Sequence, residues 1–163
     1  MNARADAGLL RALAEELIGM GAAIVGFKLG SQGMYLLTTS DRQRAAGLGA
    51  AAPKDVAAWT GRELLAPCFV VEVVGTTGSG DCTIAGFLGG FVRGLPPEKA
   101  MTAAVAVGAC NVEAADATSG ILVWSEVRHR ISAGWKRRST AVSLPGWQWD
   151  DTLEIWRSNA EKH

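Results

Sequence analysis

Residues 73–91 read Val-Val-Gly-Thr-Thr-Gly-Ser-Gly-Asp-Cys-Thr-Ile-Ala-Gly-Phe-Leu-Gly-Gly-Phe. An apolar, β-rich run from Phe69 to Val74 leads into a turn carrying Gly75, Gly78 and Gly80. Asp81 follows at once, and then apolar residues at helical spacing. A strand, a glycine turn and a helix start form an anion site. Glycine lets the backbone come close, and the unpaired N–H groups of the first helical turn point at the ligand. An acid inside such a site repels phosphate, so Asp81 calls for a chemical explanation.

Three chemistries compete for this loop. A Walker A loop needs lysine where Asp81 stands, although Gly75 and Gly80 have its spacing. A dinucleotide fingerprint needs G-x-G-x-x-G, and the glycines here are spaced the other way round. A phosphoryl-transfer site fits both features. The amides of Gly78, Ser79 and Gly80 hold developing negative charge, and Asp81 accepts the proton of an attacking hydroxyl. The plain structural alternative is a glycine turn with Asp81 as a helix cap, worth about 1 kcal/mol.

The stretch Gly75-Thr76-Thr77-Gly78-Ser79-Gly80-Asp81 resembles the C-terminal signature Asp-Thr-Thr-Gly-Ala-Gly-Asp of the ribokinase-like (PfkB) carbohydrate kinases. Ala85-Gly86-Phe87-Leu88 continues the likeness into the helix. Upstream, Phe27-Lys28-Leu29-Gly30-Ser31-Gln32-Gly33 is similar to the family's nucleotide-side strand and turn. Downstream, Leu95 to Ala100 resembles the link into the next helix. The likeness covers roughly residues 8–132.

The resemblance implies an α/β chain, the C-terminal part of a ribokinase-like three-layer α/β/α fold. It implies ATP and Mg²⁺ as cofactors, and a sugar or related alcohol as phosphoryl acceptor. Asp81 is then the base, with Gly78, Ser79 and Gly80 as the anion hole. Thr76 and Thr77 position the loop, and Thr77 is a phosphate contact. Lys28, Gly30, Ser31 and Gly33 belong to the nucleotide side, and Val105 and Gly108 to the adenine pocket. No residue is assigned to a metal. Gly75 replaces the family's first Asp, near which many members bind a monovalent cation, so that cation is left open.

Kinases of this family are about twice as long as these 163 residues. The expectation is therefore a fragment without the first strands, the sugar-contacting residues, the lid and the acidic motif associated with magnesium. Two readings from other classes stay open. One is a non-catalytic nucleotide- or anion-binding fragment. The other is a structural subunit that completes its sheet with another chain, and homo-oligomerisation stays open with it.

Sixteen basic and sixteen acidic residues give formal neutrality, so charge makes no case for nucleic acid or anionic membrane as partner. No apolar run reaches the ~20 residues of a bilayer span, and no signal-peptide pattern opens the chain, so the expected location is the cytoplasm. Cys68, Cys82 and Cys110 have neither disulfide-framework nor zinc spacing. Cys82, at a helix start, is either a packing residue or a thiol of lowered pKa. His129 and His163 have no metal partner in sequence.

The elements that must position the loop alternate. Residues 7–20 form a helix with apolar side chains at 9, 10, 13, 17 and 18. Ala23 to Leu29 is a strand, Gly30 to Gly33 a turn, and Met34 to Thr38 a strand pairing back as a hairpin. Residues 40–67 read as irregular, with a short helix or strand between Asp55 and Leu65. Residues 69–74 form the next strand, Asp81 to Arg93 the main helix, Glu98 to Ala115 a buried helix and Ser125 to Lys136 the last. The glycines at 86, 89 and 90 permit close helix approach. Asn111 and Glu113 read as helix-surface or cap residues. Residues 1–136 thus read as the ATP-binding part and 137–163 as a tail. Its Trp147, Trp149 and Trp156 either pack across the core or meet a partner.

Overall fold

The computed structural model describes residues 6–161. Its centre is a five-stranded sheet of β1 (Ile24–Lys28), β2 (Met34–Thr38), β3 (Glu63–Ala66), β4 (Trp147–Asp150) and β5 (Ile155–Ser158). The spatial order is β1-β2-β3-β5-β4, and every neighbouring pair is antiparallel. The helices are α1 (Ala7–Gly19), the short α2 (Arg42–Ala46), α3 (Ser79–Val92), α4 (Pro97–Asn111) and α5 (Trp124–Ser132).

Period-2 alternation sorts the strand side chains onto two faces. Met34 and Leu36 of β2, with Leu64 and Ala66 of β3, enter one core with Met101, Ala104 and Val105 of α4. Tyr35 and Leu65 point the other way and meet Leu10 and Ala14 of α1. Helix, sheet and helix therefore form three layers.

The β1–β2 hairpin forms as expected, with Lys28 opposite Met34. Its turn is a single 3₁₀ turn, Gly30–Gln32, closed by Gly33 at φ 109°. A side chain on Gly33 would overlap the Ala66 carbonyl oxygen, so both conformation and space require glycine there. Residues 40–67 hold more order than their composition suggests. Asp41 caps α2 through the Gln43 and Arg44 amides, and β3 is wholly buried.

Other expectations shift. Of the apolar face read on α1, only Leu10 is buried and Ile18 packs partly against the core, whereas Leu9, Leu13 and Leu17 are exposed; Ala7 and Ala14 complete the buried face. Residues 69–74 form no strand. Only Phe69 makes a bridge, to Arg137. Helix α4 stops at Asn111, because the Asn111 Nδ2 donates to the Ala117 carbonyl (2.7 Å) and folds residues 112–120 back. Asn111 is thus fully buried, not a helix-surface residue. Glu113 pairs with Arg130.

The tail completes the sheet. β4 and β5 make a hairpin, and β5 pairs with β3. Trp147 packs on Tyr35 and Trp149 on Trp156. The seam is tied by buried charge. Glu98, at the start of α4, meets Arg62 and Arg157, and Arg62 also meets Glu161. Glu63 accepts from Arg11 and from the Tyr35 hydroxyl (2.9 Å). Burial, with the charge and hydrogen bond of Glu63, holds the Tyr35 phenol protonated far above its ordinary range against the pull of Arg11.

One long side of α3 is uncovered. Ile84, Leu88 and Val92, one turn apart each, are exposed. No helix of the described residues is long and apolar enough to cross a membrane.

Candidate active site

Gly78 begins α3 from the left-handed region, φ 74°, and no side chain caps the helix there. A Cβ on Gly78 would lie 2.9 Å from the Ala117 carbonyl oxygen. The loop therefore rests directly on the backbone of residues 112–120. Gly75 rests there too: its Cβ direction meets the Ala114 and Ala115 carbonyl oxygens, each at 2.8 Å. An aspartate at 75 has no room, which accounts physically for the departure at that position.

The helix begins at Ser79, two residues earlier than expected, so Asp81 lies in its first turn. Asp81 is exposed, and its carboxylate has no hydrogen bond or ion pair among the described residues. It does not cap the helix. The amides of the loop divide. Ser79 N–H already donates to the Thr76 carbonyl (3.2 Å), whereas those of Gly78, Gly80 and Asp81 have no protein acceptor among the described residues. The Asp81 amide is a donor that the motif alone did not identify, and that of Ser79 is partly spent within the turn. Unpaired N–H groups at the positive end of a helix of this length attract an anion.

A cavity of about 270 Å³ opens beside this loop. Lys28, Gly30, Ser31, Gly33, Thr76, Val105 and Gly108 line it, together with Ser79 and Gly80. Sequence segments far apart are thus brought to one place by the β1–β2 turn, the start of α3 and the middle of α4. Thr77, Gly78 and Asp81, on the same turn, do not line it. A Cβ on Gly108 would collide with the Thr83 hydroxyl, which donates to the Ser79 carbonyl (2.8 Å). Glycine at 108 therefore keeps the cavity floor against α3.

One wall is apolar, with Val71, Val73, Ala109 and Val112; the charged side chains are Lys28 and Arg138, with no carboxylate. Such a surface suits a flat apolar group joined to an anion. Arg138 and the valines at 71 and 73 escaped the sequence reading because no motif marks them. Cys68 lies at the rim, its Sγ donating to the Gly30 carbonyl (3.4 Å), and burial pushes its thiol pKa up against the pull of Arg138 and Arg137. Cys82 is buried, and burial with the nearby Asp81 charge pushes its thiol up as well, so it is a packing residue and not an activated thiol.

A larger groove of about 850 Å³ lies elsewhere, between α4, α5 and the β4–β5 turn. It holds none of the residues assigned to the phosphoryl-transfer or nucleotide site.

Among solved structures the chain is similar to ribokinase from Thermotoga maritima, with 24% identity and a TM-score of 0.56 over 74% of this chain and 34% of that one. It is similar to aminoimidazole riboside kinase from Salmonella enterica, solved with aminoimidazole riboside and an ATP analogue. There the identity is 22% and the TM-score 0.54, over 73% of this chain and 35% of that one. A nucleoside kinase of the ribokinase family from Methanocaldococcus jannaschii gives 23% and 0.52, over 68% and 30%. At these identities the likeness establishes a ribokinase-like fold, and the chain spans about a third of the length of these kinases. No curated protein matches the chain. The profile of the pfkB family carbohydrate kinases matches residues 2–123, three-quarters of the sequence, including the 28–33 turn, the 75–81 loop and helices α3 and α4. The chain belongs to the pfkB family of carbohydrate kinases.

Proposed function

We propose that this chain is the nucleotide-side portion of an ATP-dependent kinase that transfers the γ-phosphoryl group to a hydroxyl of a sugar or related alcohol. The observation that carries the reading is the meeting of the 28–33 turn, Thr76, Ser79 and Gly80 of the loop, and Val105 and Gly108 around one cavity. Adenine would lie on the apolar wall and the phosphates would run toward the start of α3. The free amides of Gly78, Gly80 and Asp81 would take the charge of the transferring group, an electrostatic role that preorganised donors perform well. The Asp81 carboxylate, open to the side where an acceptor would approach, would take the hydroxyl proton.

Mg²⁺ would arrive with the nucleotide. Among the described residues no three His, Cys, Asp or Glu side chains form a metal-holding group, so no protein ligand is assigned and no step is routed through the ion. A monovalent cation is given no role.

Asp81→Asn tests the reading. ATP affinity by calorimetry should be unchanged, while phosphorylation of a panel of sugars and nucleosides should fall roughly 10²- to 10⁴-fold. Unchanged turnover overturns the role of Asp81. A second reading, a nucleotide-binding module without turnover, would use the same cavity. ATP binding with no turnover in the unaltered chain would select it. The third reading, a structural subunit that completes its sheet with another chain, would use an outer strand, β1 or β4.

A further inference from the structure

The family profile ends at residue 123, yet the cavity wall does not. Residues 136–138 lie antiparallel to residues 68–70. Val70 N–H donates to the Lys136 carbonyl (2.9 Å), and Arg138 N–H donates to the Cys68 carbonyl (2.7 Å). Phe69 and Arg137 form the bridge between them. Successive side chains on an extended segment face opposite ways. Arg137 turns inward: its guanidinium lies 4.0 Å from the Phe69 ring centroid and donates to the Thr102 hydroxyl and the Pro67 carbonyl, each at 2.9 Å. Arg138 turns to the cavity. Its guanidinium has no hydrogen bond or ion pair with another described residue.

Only Lys28 shares the cavity with it as a charged group. The two cations come from unrelated parts of the chain, β1 and the segment after α5. Neither is neutralised by an acid among the lining residues. Two cations beside an apolar wall and a helix N-terminus favour a ligand carrying several negative charges on an apolar body.

We infer that Arg138 is a polyphosphate-binding residue of this cavity, supplied by the segment beyond the family match, and that it discriminates nucleotides by charge. The inference rests on the nucleotide reading above. It places the determinant on a side chain whose backbone is pinned by the Cys68 bond, so substitution removes charge without releasing the segment.

The experiment is titration of ATP, ADP, AMP and adenosine into the full chain and into Arg138→Gln. The expected result is a roughly three- to five-fold loss for ATP, a smaller one for AMP and none for adenosine. Arg138→Glu should lose more, and the salt dependence of ATP binding should flatten in Arg138→Gln. Urea midpoints should coincide with that of the unaltered chain. Equal ATP affinity in the unaltered chain and both variants overturns the inference while the nucleotide reading stands. Equal losses for ATP and adenosine also overturn it, because they mark a structural role. Failure of the folded, unaltered chain to bind any of the four overturns the nucleotide reading itself.

Discussion

The Lys28 ammonium occupies the space that a side chain on Gly80 would take: a Cβ there would lie 2.6 Å from Nζ. The cation of β1 is thereby laid against the second residue of α3, next to amides with no acceptor. Lys28→Met should weaken ATP binding roughly five-fold at low ionic strength and less in high salt, with an unchanged urea midpoint. Gly80→Val should have a similar effect by displacing the ammonium. Calorimetry at two salt concentrations checks both; an affinity unaffected in both variants would remove Lys28 from the site.

Gly78→Ala should behave differently from any change at Gly80. Its left-handed backbone costs an ordinary residue about 1–2 kcal/mol, and its Cβ would press on the Ala117 carbonyl. Stability and nucleotide binding should fall together. Chemical denaturation beside ATP titration measures the pair, and a variant as stable as the parent would contradict the packing described.

Neighbouring helical glycines should respond with opposite signs. A Cβ on Gly86 would lie 2.8 Å from the Ala103 carbonyl oxygen, so Gly86→Ala should destabilise by about 1–3 kcal/mol as α3 is forced off α4. A Cβ on Gly89 meets only the tip of Arg93 at 3.4 Å and the Trp124 ring at 3.7 Å. Gly89→Ala should therefore stabilise, by up to about 1 kcal/mol, through helix propensity. Urea unfolding of both variants decides.

The Asp116 carboxyl should titrate near pH 2. The Ser119 hydroxyl and the backbone amides of Ser119 and Thr118 hold its charged form and lower its pKa to about 2. The folded value lies below the unfolded one, so the contribution to stability is fully present above about pH 3.9 and is lost as pH falls toward 2. A carboxyl-carbon NMR titration reads the midpoint. Ser119→Ala should move it upward, and an unmoved midpoint would exclude the hydroxyl as its main cause.

Glu98 is 6% exposed and shared by Arg62 of the β3 region and Arg157 of β5. Removing Arg62 leaves Glu98 with Arg157 alone and Glu161 with no ion-pair partner among the described residues, so Arg62→Met should cost about 3–5 kcal/mol. Arg62→Met with Glu98→Gln should cost less than the first change alone. A double-mutant cycle in urea tests the coupling.

Much of the site was legible along the chain because its pieces are local. A turn of glycines, an acid and a helical apolar pattern occupy consecutive residues, and their backbone geometry follows from residue type. The β1–β2 hairpin was legible for the same reason, as its partners lie six to fourteen residues apart. The apolar run at 69–74 was over-read as a strand, since β-rich composition does not supply a pairing partner; only Phe69 found one, in Arg137. On α1, the apolar residues at 9, 13 and 17 carry the right period but face away from the sheet, because periodicity marks a stripe without saying what covers it.

Residue types and spacing alone determined that residues 75–81 form a glycine turn running into a helix start that carries an acid, and that the chain alternates helices and strands. Tertiary structure decided the rest. It laid Lys28 on Gly80, set Gly108 under the Thr83 hydroxyl and turned Arg138 into the cavity. It also joined the tryptophan tail to β3 as the outer strands of the sheet. These are contacts between residues tens of positions apart. Their energies come from burial and close packing, which exist only once the layers have assembled and which no local pattern encodes.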